Sequence, residues 1–194
     1  MYLDFKMDNS KNKLIIIGGS NGAGKTTFAK YLKKNNFLDI FVNADQVAVG
    51  LGSHELSDIT AGKVVLKRIN GYLNSNENFS IETTLSGRKW IKLIKQAKEN
   101  NYEIICYYIF LESKELAINR VKNRVLRGGH NISEDVIIRR YKRSIDNFKN
   151  LYKDLVDHYL IFNNTHTFCK IINAKNYERD IVLNNKQNKF FWSI

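Results

Sequence analysis

Cysteine, acidic charge and long apolar runs are all scarce in this chain. Two cysteines stand among 194 residues, Cys106 inside the apolar run 104–111 and Cys169 with no partner near it in sequence. Neither has metal-ligand spacing, which excludes a thiolate metal site or a disulfide framework, and Cys106 reads as a small buried hydrophobe. No apolar run approaches the roughly 18 residues that a membrane span needs. The opening stretch MYLDFKMDNSKNK has no apolar segment of signal-peptide type. The expectation is a cytoplasmic protein. Acidic residues number 19 against 31 Lys and Arg, a net charge of +12. That excess suits anionic partners such as nucleotides, sugar phosphates or nucleic acid, without choosing among them. Lysine spread along the chain reads equally well as a solvated surface, and only the arginines cluster.

What is present is enough apolar residue, 43%, for the core of one domain. The expected domain is 1–194, with its core at about 11–165 and a tail over 175–194. Apolar runs of strand length fall at 13–17, 40–43, 79–82, 103–111 and 159–162. Helical patterns lie between them at 25–34, 61–73, 87–99 and 114–126, and a further helix carries Ile137, Tyr141, Ile145 and Phe148 as a core-facing stripe. Strands alternating with helices predict a parallel sheet covered on both faces. The tail is polar until Phe190, Phe191 and Trp192, which read as aromatics docking on the domain itself or on a partner.

Gly19-Ser20-Asn21-Gly22-Ala23-Gly24-Lys25-Thr26 matches G-x-x-x-x-G-K-[ST] and falls between a predicted strand and a predicted helix, the context this motif requires. Glycines let successive backbone N–H groups turn inward toward phosphate oxygens, and the following helix adds its positive dipole end. ATP is the expected ligand, bound by residues 19–26 and Thr27. Lys25 is expected on the β- and γ-phosphates, and the Thr26 hydroxyl on Mg2+.

In an open parallel sheet the ligand lies at the carboxyl ends of the strands. Asp45 follows the strand 40–43 and reads either as a base for an acceptor hydroxyl or as a turn residue capping the next helix. Glu82, Thr83 and Thr84 end the strand 79–82, with Arg88 a turn later. They read as acceptor-binding groups or as helix caps. Glu112, after the long strand, reads as a magnesium-side acid or as a solvent-facing strand end. Arg120, Arg124 and Arg127 recur at intervals of four and three, on one helical face beside Ala117, Val121 and Val125. Three like charges on one face repel unless an anion neutralises them. With Arg139, Arg140 and Arg143 beyond the Gly128-Gly129-His130 loop, they read as a lid over ATP.

Gly18–Thr27, Phe41-Val42-Asn43-Ala44-Asp45, Glu82-Thr83-Thr84-Leu85-Ser86-Gly87, the Arg120–His130 segment and Arg139-Arg140-Tyr141 followed by Arg143-Ser144, in that order, resemble the small zeta-toxin-like P-loop kinases over most of residues 14–165. The resemblance implies a three-layer α/β P-loop kinase fold with a mainly parallel sheet and a helical arginine-bearing lid. It implies transfer of the ATP γ-phosphoryl group to a nucleotide sugar such as UDP-N-acetylglucosamine, with Asp45 as base and Glu82, Thr83, Thr84 and Arg88 at the acceptor. Lid arginines, drawn from Arg120, Arg124, Arg139 and Arg140, correspond to the family's phosphate-binding pair. A toxin role with an antitoxin partner follows as a further implication. This lid is shorter and differently spaced than in long toxins, and the segments with which those surround their nucleotide sugar are missing, so a different acceptor is left open. A polynucleotide kinase and a nucleotide-dependent binding or switch module are the two alternatives.

Overall fold

The computed structural model describes residues 8–38, 40–43, 55–166, 168, 170–176 and 179–194. Its centre is β1 (Lys13–Gly18), whose Leu14, Ile16 and Ile17 are fully buried because helices cover both faces of the sheet. β1 lies between β3 (Phe79–Thr83) and β4 (Glu103–Phe110), and the seven strands run in the order β2-β3-β1-β4-β5-β6-β7. The first five of these, with β2 (Ile40–Asn43) and β5 (His158–Asn163), are parallel. β6 (Lys170–Asn176) and β7 (Arg179–Val182) add an antiparallel edge.

The helices are α1 (Lys25–Lys34), α2 (Glu55–Asn74), α3 (Lys89–Glu99), α4 (Lys114–Leu126), α5 (Glu134–Asn147) and α6 (Asn185–Ser193). One face of the sheet is covered by α1 and α4 through Phe28, Leu32, Ala117 and Val121. The other is covered by α2, α3 and α6 through Ile69, Trp90, Ile94 and Phe191. Helix α5 closes the edge of both layers, with Ile137 in one core and Ile145 in the other. This is the expected three-layer α/β architecture with a mainly parallel sheet.

The structure differs from the sequence reading at α2 and after β5. Helix α2 starts at Glu55, six residues before the expected 61, where the apolar pattern is too weak to mark a start. The segment after β5 holds two strands and a helix, where the sequence reading has only a polar tail over 175–194. β6 has no clean alternation, because its pairing with β5 shifts register and Ile172 and Ala174 are buried in opposite cores. Asn173 is buried as well, because α6 covers it and its amide donates to Asn188 Oδ1 at 3.1 Å. Phe191 packs on Phe110 and Tyr108 of the chain's own core, with ring centroids 5.0 and 5.8 Å away.

The connection after β1 leads to β2 on one side and that after β3 leads to β4 on the other, so the two diverge at the carboxyl ends of these neighbouring strands. A crevice opens there.

Candidate functional site

The chain leaving β1 curls around that crevice. Gly19 has φ +142, and a Cβ there would lie 2.2 Å from the Ile109 carbonyl oxygen of β4. Gly24, at φ +95, backs onto the Asn164 amide, which a Cβ would meet at 2.5 Å. These positions admit only glycine without a shift of their neighbours. Helix α1 starts immediately after Gly24, and no acidic residue of its own first turn offsets the positive end that faces the crevice. Lys25 is buried, and its ammonium group donates to the Ser20 carbonyl at 2.8 Å, inside the loop it closes.

The Thr26 hydroxyl donates to both carboxylate oxygens of Glu82, at 2.9 and 3.0 Å. Asn43 Nδ2 donates to Glu82 Oε2 at 2.8 Å. Strand register produces this contact, since Asn43 of β2 stands beside Glu82 of β3 and Ile17 of β1 stands on the other side. A threonine hydroxyl and a carboxylate are the hard oxygen donors that suit Mg2+, which keeps most of its waters and takes few protein ligands. The residues present therefore fit that ion. Glu112 stands elsewhere, accepting from Asn163 Nδ2 at 2.7 Å.

Two cavities meet at this point. The larger, about 860 Å³, is lined by the phosphate loop, Lys25, Thr26, Thr27, Arg120, Arg124 and the segment around Asn164. The smaller, about 220 Å³, is lined by Thr83, Thr84, Ser86, Trp90 and Arg140 among others. Lys25, Asn43 and Glu82 line both.

The arginines separate by task. Arg120 donates to the carbonyls of Asn164 and Thr165 at 2.8 and 3.2 Å, and so holds the β5–β6 connection beside the larger cavity. Asn164 in turn donates to the Ala23 carbonyl at 2.8 Å, fixing that connection to the phosphate loop. Arg124 donates to the His130 carbonyl at 2.7 Å, which ties down the Gly128-Gly129-His130 loop. Arg127 lies with Arg120 and Arg124 along a shallower outer cleft. Arg140 reaches the smaller cavity, whereas Arg139 lines neither and is exposed. Arg88 is the exposed N-cap of α3, outside the lining of the smaller cavity. Asp45 lies outside the described residues.

Helix α5 is anchored rather than free. Tyr141 donates to the Leu111 carbonyl at 2.7 Å, and the buried Ser144 hydroxyl meets the Tyr108 hydroxyl at 3.0 Å. Burial pushes the Tyr141 phenol up to about 12, helped by the charges of Glu115 and Glu112. Tyr152 is likewise pushed up to about 12 by burial, with a backbone hydrogen bond from Trp90 acting in the opposite direction.

Sequence reasoning missed Asn43 as the partner of Glu82, and Asn164, His166 and Phe168 along the larger cavity. Asn164 lies two residues beyond the predicted strand 159–162, as Asp45 does beyond 40–43, so the rule that singled out Asp45 would have reached it.

A strand, a glycine cradle and a lysine-bearing helix start, with a hydroxyl and a carboxylate beside them, define a P-loop nucleotide-binding site. The AAA domain family model matches residues 14–151, well over half of the chain, and the chain belongs to that family. An uncharacterized protein of Haemophilus influenzae is 33% identical over 133 residues, which are 68% of this chain and 94% of that protein. The fold is similar to a chain of the PezAT chromosomal toxin-antitoxin system of Streptococcus pneumoniae. There the TM-score is 0.67 and the identity 19%, with 99% of this chain and 83% of that one covered. It is also similar to a chain of the AvrRxo1-ORF1:AvrRxo1-ORF2 complex, at TM-score 0.70 and 18% identity, over 92% of this chain and 63% of that one. The resemblance to the zeta-toxin-like P-loop kinases holds at the level of fold.

Proposed function

We propose that the protein is an ATP-dependent phosphotransferase that acts on an alcohol group. The observation that carries this reading is the shared wall: Lys25, Asn43 and Glu82 line both cavities. A nucleotide in the larger cavity would direct its γ-phosphate toward the smaller one, where an acceptor hydroxyl would lie in line with it. A switch protein has no need of that second cavity.

In this reading residues 19–27 hold the nucleotide phosphates, and Thr26 and Glu82 hold Mg2+. When bound, the ion supplies neutralisation of phosphate charge. Asp45, two residues beyond Asn43, takes the proton of the acceptor hydroxyl. The acceptor oxygen forms its bond to the γ-phosphorus as the bond to the β,γ-bridging oxygen breaks, and ADP leaves. Lys25, Arg124 and Arg140 stabilise the charge that moves onto the phosphoryl oxygens. Arg120 serves the nucleotide side through the Asn164 connection. Thr83 and Thr84 serve the acceptor.

The acceptor that the family resemblance offers first is a nucleotide sugar such as UDP-N-acetylglucosamine, in the cytoplasm and under the control of an antitoxin. The net charge of +12 supports a second acceptor, the 5′-hydroxyl end of a polynucleotide.

Mass spectrometry of reaction products tests both. The purified protein is mixed with Mg-ATP and either UDP-N-acetylglucosamine or a 5′-hydroxyl oligonucleotide, beside Lys25→Ala and Asp45→Asn. A product gaining one phosphate only with the unsubstituted protein is expected, with Asp45→Asn losing about 10²–10⁴-fold in turnover while still binding ATP. ATP bound and no phosphorylated product would reject these two acceptors and turn the search to other sugars, and then to the switch class.

A further inference from the structure

The loop between β3 and α3 forms the floor of the smaller cavity, and it has an unusual shape. Leu85 has φ 53 without being glycine, a conformation that persists only where its surroundings over-determine it. Its side chain is buried against Gly18, the last residue of β1, where an added Cβ would meet Leu85 Cδ1 at 2.5 Å. The Leu85 N–H donates to the Thr83 hydroxyl oxygen at 3.1 Å, and the Thr84 and Ser86 hydroxyls lie 2.8 Å apart.

What holds this loop comes from the far end of α5. Arg140, Ser144 and Asn147 lie four and three residues apart, on one helical face. Arg140 lines the cavity, Ser144 meets Tyr108 of the sheet, and Asn147 Nδ2 donates to the Leu85 carbonyl at 2.9 Å. After Asn147 the helix widens into a π-turn, Phe148–Tyr152, with Lys153 N–H bonded to the Phe148 carbonyl at 2.9 Å. An α-helix would leave residue 152 about 140° around from residue 147. The wider turn brings Tyr152 back toward the same side, where its hydroxyl donates to the Gly87 carbonyl. Two side chains from one helix end thus grip two carbonyls of one loop.

We infer that Asn147 and Tyr152 are positioning residues for the acceptor. They hold residues 84–88 in the shape that presents Thr83, Thr84 and Ser86 to the cavity, and they fix that row against the helix that carries Arg140. The inference rests on the phosphotransferase reading. Neither residue touches the nucleotide cavity, so their loss acts on the acceptor alone.

Asn147→Asp keeps the shape of the side chain and removes the donor, and Tyr152→Phe removes only the hydroxyl. Asn147→Gln keeps the donor on a longer arm. Steady-state kinetics on the full chain, with UDP-N-acetylglucosamine and a 5′-hydroxyl oligonucleotide as probes, are paired with hydrogen exchange. The expected result is an acceptor KM raised at least tenfold in the first two variants, an ATP KM within twofold, faster exchange confined to about residues 84–90, and partial recovery in Asn147→Gln. An active protein whose variants keep the acceptor KM, or in which both KM values rise together, overturns the inference and leaves the proposed function standing. An unsubstituted protein that phosphorylates neither probe overturns the proposed function for these acceptors, and the inference with it.

Discussion

The Thr26 hydroxyl donates to both carboxylate oxygens of Glu82 at 2.9 and 3.0 Å, although 56 residues separate them in the chain. Three strands in register bring them together, and Asn43 holds the same carboxylate from the opposite side. The carboxylate is thereby aimed before any ligand arrives, and its charge lies where a metal-bound nucleotide needs it.

Glu82→Gln keeps the shape of the side chain and removes the charge. Turnover in Mg-ATP is expected to fall about 10²–10³-fold, the scale of removing one preorganised electrostatic group. Nucleotide binding in EDTA, read by a fluorescent ATP analogue, is expected to stay as it was. An equal loss with and without the metal would put Glu82 on the nucleotide or the acceptor and not on the ion.

Gly19→Ala tests the cradle itself. The added Cβ would lie 2.2 Å from the Ile109 carbonyl, at a φ of +142 that side chains rarely adopt. Backbone must give on one side or the other, and overpacking of this kind costs about 1–3 kcal/mol. For a chain of this size each kcal/mol corresponds to roughly 2–4 °C in Tm. Calorimetry is expected to show that loss together with weakened nucleotide binding. A variant with unchanged Tm and full nucleotide affinity would contradict the close packing of the loop on β4.

These two cases mark what was legible in the sequence. Residues 19–27 declare themselves because the phosphate loop is local: glycines, lysine and threonine fall in one stretch, and the strand before and the helix after are equally local. The partnership of Thr26 with Glu82 depends on the order β3-β1-β4, which no single segment carries. Glu82 was visible as a strand-end acid, but its neighbour was not. Asn147 and Tyr152 were hidden for the same reason, since no local pattern pairs either side chain with the loop after β3. β6 was lost because a register shift against β5 breaks its period of two, and Asn173 is an interior residue only when α6 lies over it. The lid arginines were found as a cluster, yet their separation into Arg120 on carbonyls and Arg140 at the smaller cavity follows from where α4 and α5 dock.

Alkaline pH offers a test of the α5 anchor. Tyr141 and Tyr152, with Tyr107 in the sheet, are each pushed up to about 12 by burial, against an ordinary value of 10.0. The unfolded chain therefore releases these protons first. Their contribution to stability is fully present below pH 10 and is lost as pH rises from 10 toward 12. Urea midpoints measured at pH 9, 10 and 11 are expected to fall progressively, and Tyr152→Phe is expected to flatten that fall. A midpoint constant across this range would mean that these phenols titrate in the folded protein as they do in water.

The terminal aromatics allow a choice between a partner-facing and a core-facing role. Phe191 is fully buried, with Phe110, Tyr108 and Phe148 at ring-centroid distances of 5.0, 5.8 and 6.1 Å, and the Lys149 ammonium 4.9 Å from its ring. Phe190 is exposed beside it, and Trp192 donates to Asn188 Oδ1 at 2.8 Å within α6. Removing a buried ring of this kind costs about 3–5 kcal/mol. Phe191→Ala is expected to lower stability by that amount in chemical denaturation, whereas Phe190→Ala is expected to cost under about 1 kcal/mol, in line with surface substitutions. Because Phe148 begins the π-turn that carries Tyr152, the Phe191 variant should also quicken hydrogen exchange at residues 148–152. Unchanged stability in Phe191→Ala would mean that α6 does not dock on this core, and would return its aromatics to the service of a partner.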